Sequence, residues 1–254
     1  MFEVSALHNF GFPANSLDLL GNNEFQTIND DPIGHFHTPI TTATSVLGLA
    51  FDNGVILAAD TLGSYGSLAR FKNISRVLKV NKNIILGVGG DYADFQYLKE
   101  LVNGKMIGEE CLEDNVPLKP ASLHCWLTRV LYQRRSKVDP LWNNVLIAGV
   151  QNKTPYLGFI DKLGTAVKDT VIATGFGAHI AVPLLRNGVQ KKPNMNKQEA
   201  EELIVKCMEV LYYRDARSFN KYELGIITPD EVQIKGPISI KANWDISQYV
   251  SGYE

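Results

Sequence analysis

The chain has 254 residues, 45% hydrophobic and 20% charged, with 21 Gly and 11 Pro. That composition supplies a large core and excludes global disorder and collagen-like repeats, and the length suits one layered domain. A formal net charge of -2 argues against a dedicated nucleic-acid binder.

No apolar run reaches the roughly 18 residues of a membrane-spanning helix, so neither membrane nor nucleic acid is an expected partner. Charge is unevenly spread. The first Lys or Arg is Arg70, whereas Glu3, Asp18, Glu24, Asp30, Asp31, Asp52 and Asp60 all precede it. An N-terminus without bases lacks the n-region of a secretory signal and the arginines of a transit peptide. A cytoplasmic and nuclear location is therefore expected. Five of the 27 acids and none of the 25 bases fall before Thr44, which leaves the remainder with a net charge of +3. Cys111, Cys125 and Cys207 form no CxxC, an arrangement that suits a reducing compartment and offers no zinc site. All three read as buried thiols.

Residues 1–43 read as an extension, rich in Asn, Asp, Gly, Pro and Thr up to about residue 40 and without sustained period. His35 and His37 within it lack a carboxylate or cysteine partner for a metal. Residues 45–51 and 54–59 read as strands around an Asp52-Asn53-Gly54 turn, and residues 76–80 and 84–88 as a second pair. A helix from about Tyr92 puts Phe95, Leu98, Val102 and Met106 near one face. The next opens with Pro120 in its first turn and carries Leu123, Trp126, Leu127, Val130 and Leu131 at helical spacing.

Strands are then expected at residues 145–150, 156–160 and 166–173, and a helix at 178–185, interrupted by Pro183. A longer helix starts at the N-cap Asn196, with Glu199 three residues on as a capping box, and carries the stripe Leu203, Ile204, Cys207, Met208 and Leu211. Strands at 222–227 and 231–234 end a domain spanning 44–235, and residues 236–254 form a tail. Helices thus come in consecutive pairs instead of alternating with strands. The expected fold is α+β, a four-layer αββα sandwich with each antiparallel sheet under one helix pair. In such a stack a strand like 54–59, Gly-Val-Ile-Leu-Ala-Ala, is apolar on both faces.

Gly87-Val88-Gly89-Gly90 follows a strand and precedes a helix, but Tyr92 stands where GxGxxG needs its next glycine, so no dinucleotide cofactor is expected. Such glycines serve a tight turn or present backbone N–H groups to an oxyanion. His124 and His179 have no second ligand at metal spacing, and no GxSxG marks a nucleophilic serine. No metal and no cofactor is expected.

Residues 44–60, Thr-Ser-Val-Leu-Gly-Leu-Ala-Phe-Asp-Asn-Gly-Val-Ile-Leu-Ala-Ala-Asp, resemble the N-terminus of a proteasome beta subunit. Residues 63–71, 132–137 with 140–143, 173–178 and 210–218 extend the resemblance, which runs from about Thr38 to the C-terminus and points to the branch at the beta-7 ring position. The family belongs to the N-terminal-nucleophile hydrolases, whose fold is the αββα sandwich. The resemblance implies Thr44 at the nucleophile position, Asp60 at the aspartate, Gly90 at the oxyanion glycine, and Asp215 and Ser218 at auxiliary positions. Three positions depart from it.

Arg76 replaces the lysine, Phe176 replaces an auxiliary serine, and Ala43 stands where self-processing members have glycine. Arginine stays protonated and cannot relay a proton as a desolvated lysine does. Phe176 removes a hydroxyl and is expected to insert a bulky ring into the site. Together the departures imply a non-catalytic structural subunit in which Asp60 and Arg76 form an ion pair; the alternative is an active threonine-type endopeptidase using Thr44.

The resemblance further implies trimming near Phe36 by a neighbouring active subunit. It implies assembly with other proteasome beta and alpha subunits into a core for ubiquitin- and ATP-dependent protein degradation. Trp244, Ile246 and Tyr249 in the tail would reach the opposite beta ring. Arg134, Arg135 and Lys137, expected in a connection, read equally as a solvated loop or as a contact for acidic neighbours.

Overall fold

The computed structural model describes residues 38–114, 116–245 and 247. Seven strands come first: β1 (Thr41–Ala43), β2 (Val46–Phe51), β3 (Gly54–Asp60), β4 (Gly63–Tyr65), β5 (Leu68–Phe71), β6 (Val77–Asn81) and β7 (Ile84–Asp91). Helices α1 (Tyr92–Glu110) and α2 (Pro120–Ser136) follow, then β8 (Asn143–Gln151), β9 (Thr154–Ile160), β10 (Ala166–Lys168) and β11 (Val171–Ala173). Helices α3 (Gly177–Lys191) and α4 (Lys197–Arg214) precede β12 (Lys221–Ile227) and β13 (Val232–Ser239).

The strands form two antiparallel sheets. One runs β10-β9-β8-β7-β1-β4-β5, with β6 also paired to β7; the other runs β11-β2-β3-β12-β13. Strand alternation sorts the core into three apolar layers. On β3, Ile56 and Ala58 face Leu185, Ile204 and Met208 of α3 and α4, while Val55, Leu57 and Ala59 face the opposite sheet. On β7, Ile84, Leu86 and Val88 meet Phe95, Leu98 and Leu127 of α1 and α2, while Ile85 joins the layer between sheets. This is the expected αββα sandwich. Each fully buried Leu or Ile stabilises it by about 1.5–3 kcal/mol. The sheets approach closely enough at Gly87 that a Cβ there would stand 2.7 Å from Val46 Cγ1.

Caps set the helix ends. Asn196 Oδ1 accepts from Glu199 N at 2.9 Å and Asn196 N donates to Glu199 Oε2 at 3.1 Å, the expected capping box. Such a cap contributes about 1 kcal/mol. Asp91 caps α1.

Several elements differ from expectation. The stretch 166–173 is two strands in different sheets: β10 pairs with β9, and β11 pairs with β2. Pro183 lies inside a continuous α3, because Ala181 and Leu185 on either side of it bury against the same core. Arg134 and Arg135 sit in the last turn of α2, where cations complement the helix dipole, and Arg134 Nη2 pairs with Asp139 Oδ2 at 2.7 Å. Cys207 is buried, and desolvation pushes its thiol up to about 12, but Cys111 and Cys125 are exposed. Leu123, His124, Leu127, Val130 and Leu131 form the covered face of α2, and Cys125 falls beside it.

Strand pairing also crosses both expected domain boundaries. β1 lies ahead of Thr44 and β13 continues beyond 235. His35, Phe36, His37, Ile246 and Tyr249 lie outside the described residues. No helix of the described residues is long and apolar enough to cross a membrane.

Candidate functional site

Four chain segments converge where β1 passes into β2. Thr44 and Ser45 form that passage, Asp60 ends β3, Arg76 precedes β6, and Asp215 caps the C-terminus of α4. Arg76 is the centre of the cluster and is 1% exposed. Its Nε donates to the Asp60 carbonyl at 2.9 Å, Nη1 to the Thr44 carbonyl at 2.8 Å, and Nη2 to the Ser45 carbonyl at 3.1 Å. Nη2 also forms a short ion pair with Asp60 Oδ1.

The other Asp60 oxygen, Oδ2, accepts from Phe219 N at 3.1 Å. Burying two charges costs several kcal/mol each, which only close pairing and added hydrogen bonds offset. Here both groups have them. Burial pushes the Asp60 carboxyl up to about 6, against the pull of Arg76 and the Phe219 N–H, with the Asp215 charge adding to the rise.

The half-buried Thr44 hydroxyl donates to Asp215 Oδ2 at 2.6 Å. Asp215 Oδ1 accepts from Arg217 N at 2.9 Å. Ser218 belongs to the same turn but faces elsewhere: its hydroxyl meets the Leu211 and Asp215 carbonyls at 3.1 and 2.8 Å. Ser45 Oγ accepts from Gly177 N at 2.8 Å, and Thr174 Oγ1 accepts from Val46 N at 2.9 Å.

Gly90 has φ +104, and a Cβ there would lie 2.0 Å from the Trp142 carbonyl. Only glycine fits that backbone. Its two flanks are occupied, by Ala43 of β1 and Asn143 of β8. Phe176 departs from expectation. The residue is 58% exposed and does not insert among these groups, because Phe176 stands at the N-cap of α3 between Gly175 and Gly177, and it is those glycines that approach Ser45. Chemically, the cluster holds a threonine hydroxyl against a carboxylate, and a cation with no lone pair. Among the described residues no group of three or more His, Cys, Asp or Glu is placed to hold a metal.

Comparison with known proteins bears on this arrangement. Residues 40–227 match the family described as Proteasome subunit. The Xenopus laevis proteasome subunit beta type-4 is 53% identical over 223 residues, covering 88% of this chain and 92% of that protein. The chain belongs to the proteasome subunit family. Further beta-type relatives agree. The Drosophila melanogaster beta type-4 subunit is 48% identical over 231 residues, 91% of this chain and 86% of that one. The Saccharomyces cerevisiae beta type-7 subunit is 40% identical over 254 residues, 96% of each.

Within this beta-type proteasome subunit the fold brings Thr44, Asp60, Arg76 and Asp215 together and lays Gly90 beside the strand that leads into Thr44. Ser218 braces Asp215 from behind, and Phe176 lies at the rim. Sequence reasoning missed Ser45, Thr174 and Asp91. Asp91 did carry a signal, an acid immediately before a helix; Ser45 and Thr174 are polar residues at the ends of the apolar strands β2 and β11, which spacing alone does not interpret.

Proposed function

We propose that the chain is a non-catalytic structural subunit of the 20S proteasome core, part of a beta ring that works within a threonine-type endopeptidase complex. The engagement of Arg76 carries the reading. A permanently protonated guanidinium that donates to Thr44, Ser45 and Asp60 can neither accept a proton nor release one at accessible pH. The pairing of β1 on both edges, with β4 and with β7, supports retention of the residues before Thr44. On this reading Thr44, Asp60, Gly90, Asp215 and Ser218 are counterparts of catalytic positions that perform no catalysis, and Phe36 lies near the trimming point.

N-terminal sequencing of the subunit from assembled cores should give a start upstream of Thr44. A start at Thr44, with covalent labelling of that residue by a threonine-directed inhibitor, would overturn the reading in favour of an active peptidase. Cores carrying Thr44→Ala should hydrolyse peptides at the wild-type rate.

Assembly with other beta and alpha subunits follows from the same reading, in the cytoplasm and nucleus. The tail leaves the body against α4: Asn243 N donates to the Tyr213 hydroxyl at 2.6 Å, and the Trp244 ring lies 6.1 and 5.0 Å from those of Tyr212 and Tyr213. Trp244 remains 52% exposed, which suits a further partner. Deleting residues after Lys241 should weaken joining of two half-cores; unchanged assembly would remove the tail from that role.

A further inference from the structure

We infer that Asp91 is the latch that keeps the strand upstream of Thr44 in the sheet, and that it does so with the carboxylate that caps α1. The inference rests on the non-catalytic reading, which leaves residues 38–43 attached.

β1 is held poorly by packing. Thr41, Thr42 and Ala43 are only half-buried, Ile40 is 61% exposed, and a 480 Å³ groove bordered by Ile40, Thr41, Phe71, Ile74 and Tyr92 runs beside it. A three-residue strand with little apolar burial has few contacts to offset the ordering of its backbone. Its ladder contacts are Thr41 with Tyr65, Thr42 with Ser64 and Asp91, and Ala43 with Gly90. One bond extends the strand's anchorage beyond that ladder: Ile40 N donates to Asp91 Oδ1 at 3.0 Å.

The other oxygen of the same carboxylate, Oδ2, accepts from Ala93 N and Asp94 N at 3.0 and 3.2 Å. Asp91 is 2% exposed, and its backbone is pinned on the far side: its N–H donates to the Trp142 carbonyl at 2.9 Å, and its carbonyl accepts from Asn143 Nδ2 at 2.8 Å. The carboxylate is therefore preoriented, with one oxygen for the helix and one for the strand. Charge-assisted bonds of this kind are about twice as strong as neutral ones. No residue type with a single acceptor can serve both sides. Held in this way, β1 fills the slot between β4 and β7 that an extended peptide would otherwise enter by strand addition.

Two variants separate the latch from the cap. Asp91→Ser keeps one capping oxygen and loses the acceptor for Ile40. Ile40→Pro keeps Asp91 and its cap but removes the donor, at a surface position. Amide exchange by mass spectrometry on assembled cores should show residues 41–43 exchanging roughly tenfold faster in both, while the first turn of α1 keeps its protection. Wild-type exchange at 41–43 in both variants would overturn the latch, as would a loss confined to α1 in Asp91→Ser. The N-terminal sequence of the same samples keeps the two ideas apart. A start at Thr44 sinks the non-catalytic reading and the latch with it, whereas an upstream start with unchanged exchange sinks the latch alone. Should Asp91→Ser fail to assemble, Ile40→Pro decides.

Discussion

Arg76 and His124 are both basic side chains held inside the fold, and the fold accommodates them in opposite ways. Arg76 is buried as a cation, with Asp60 as counter-ion and three carbonyls around it, that of Asp60 itself and those of Thr44 and Ser45. His124, on the covered face of α2, is buried as a neutral ring. Its Nε2 lies 3.1 Å from the Phe159 carbonyl, which can only accept, so Nδ1 accepts from the Tyr156 hydroxyl at 2.6 Å. Desolvation lowers the His124 pKa, with the Phe159 hydrogen bond opposing. A buried charge must recruit partners from several segments and so knits them together, whereas the neutral ring is satisfied by two bonds to a single strand, β9.

The comparison can be broken most directly at Arg76. Arg76→Ala strands Asp60 and should cost about 3–5 kcal/mol in chemical unfolding. A loss below about 1 kcal/mol would show that the cluster does not knit anything. Arg76→Lys keeps the charge but loses the planar fork, and should cost less, about 1–3 kcal/mol, from carbonyls left unpaired. His124→Leu should cost about 1–2 kcal/mol, because half-exposed Tyr156 can turn to water; a cost equal to that of Arg76→Ala would erase the distinction.

The smallest effects are in pH, and they have opposite signs. The Asp60 pKa is raised from 3.8 to about 6, so the folded chain holds that proton longer, and the stability it contributes at low pH is lost as pH rises through that window. His124 is depressed below 6.5, so its contribution is complete above that pH and lost as pH falls through the folded value. Carbon NMR should find the Asp60 carboxyl titrating near 6, and His124→Leu should remove part of the acid-side loss of stability. Identical pH slopes in wild type and His124→Leu would refute the assignment of that loss to the imidazole.

How far the chain could be read without its structure varies along it. Val55 to Ala59 are apolar at every position, which requires cover on both faces, and the helices arrive in pairs; those two facts point to the αββα stack. Asn196 and Glu199 announce their own capping box, since both partners lie within one turn. By contrast β1 and β4 are three residues each without period, and β5 exposes every side chain, so no local pattern marks them. Residues 166–173 look like one strand because the exchange of sheets at Asp169 and Thr170 depends on where β9 and β2 lie.

The same division runs through the candidate site. Residue identities determine that Arg76 carries a permanent charge, that Ala43 has a Cβ, and that the chain has the apolar periodicity of a two-sheet sandwich. They do not determine where Phe176 points, that Ser218 braces Asp215 instead of touching Thr44, or that one Asp91 carboxylate serves a helix and a strand 51 positions away. Propensity and periodicity act over a few residues, whereas the partners of a buried charge are chosen by which distant segments the packed sheets bring within about 3 Å.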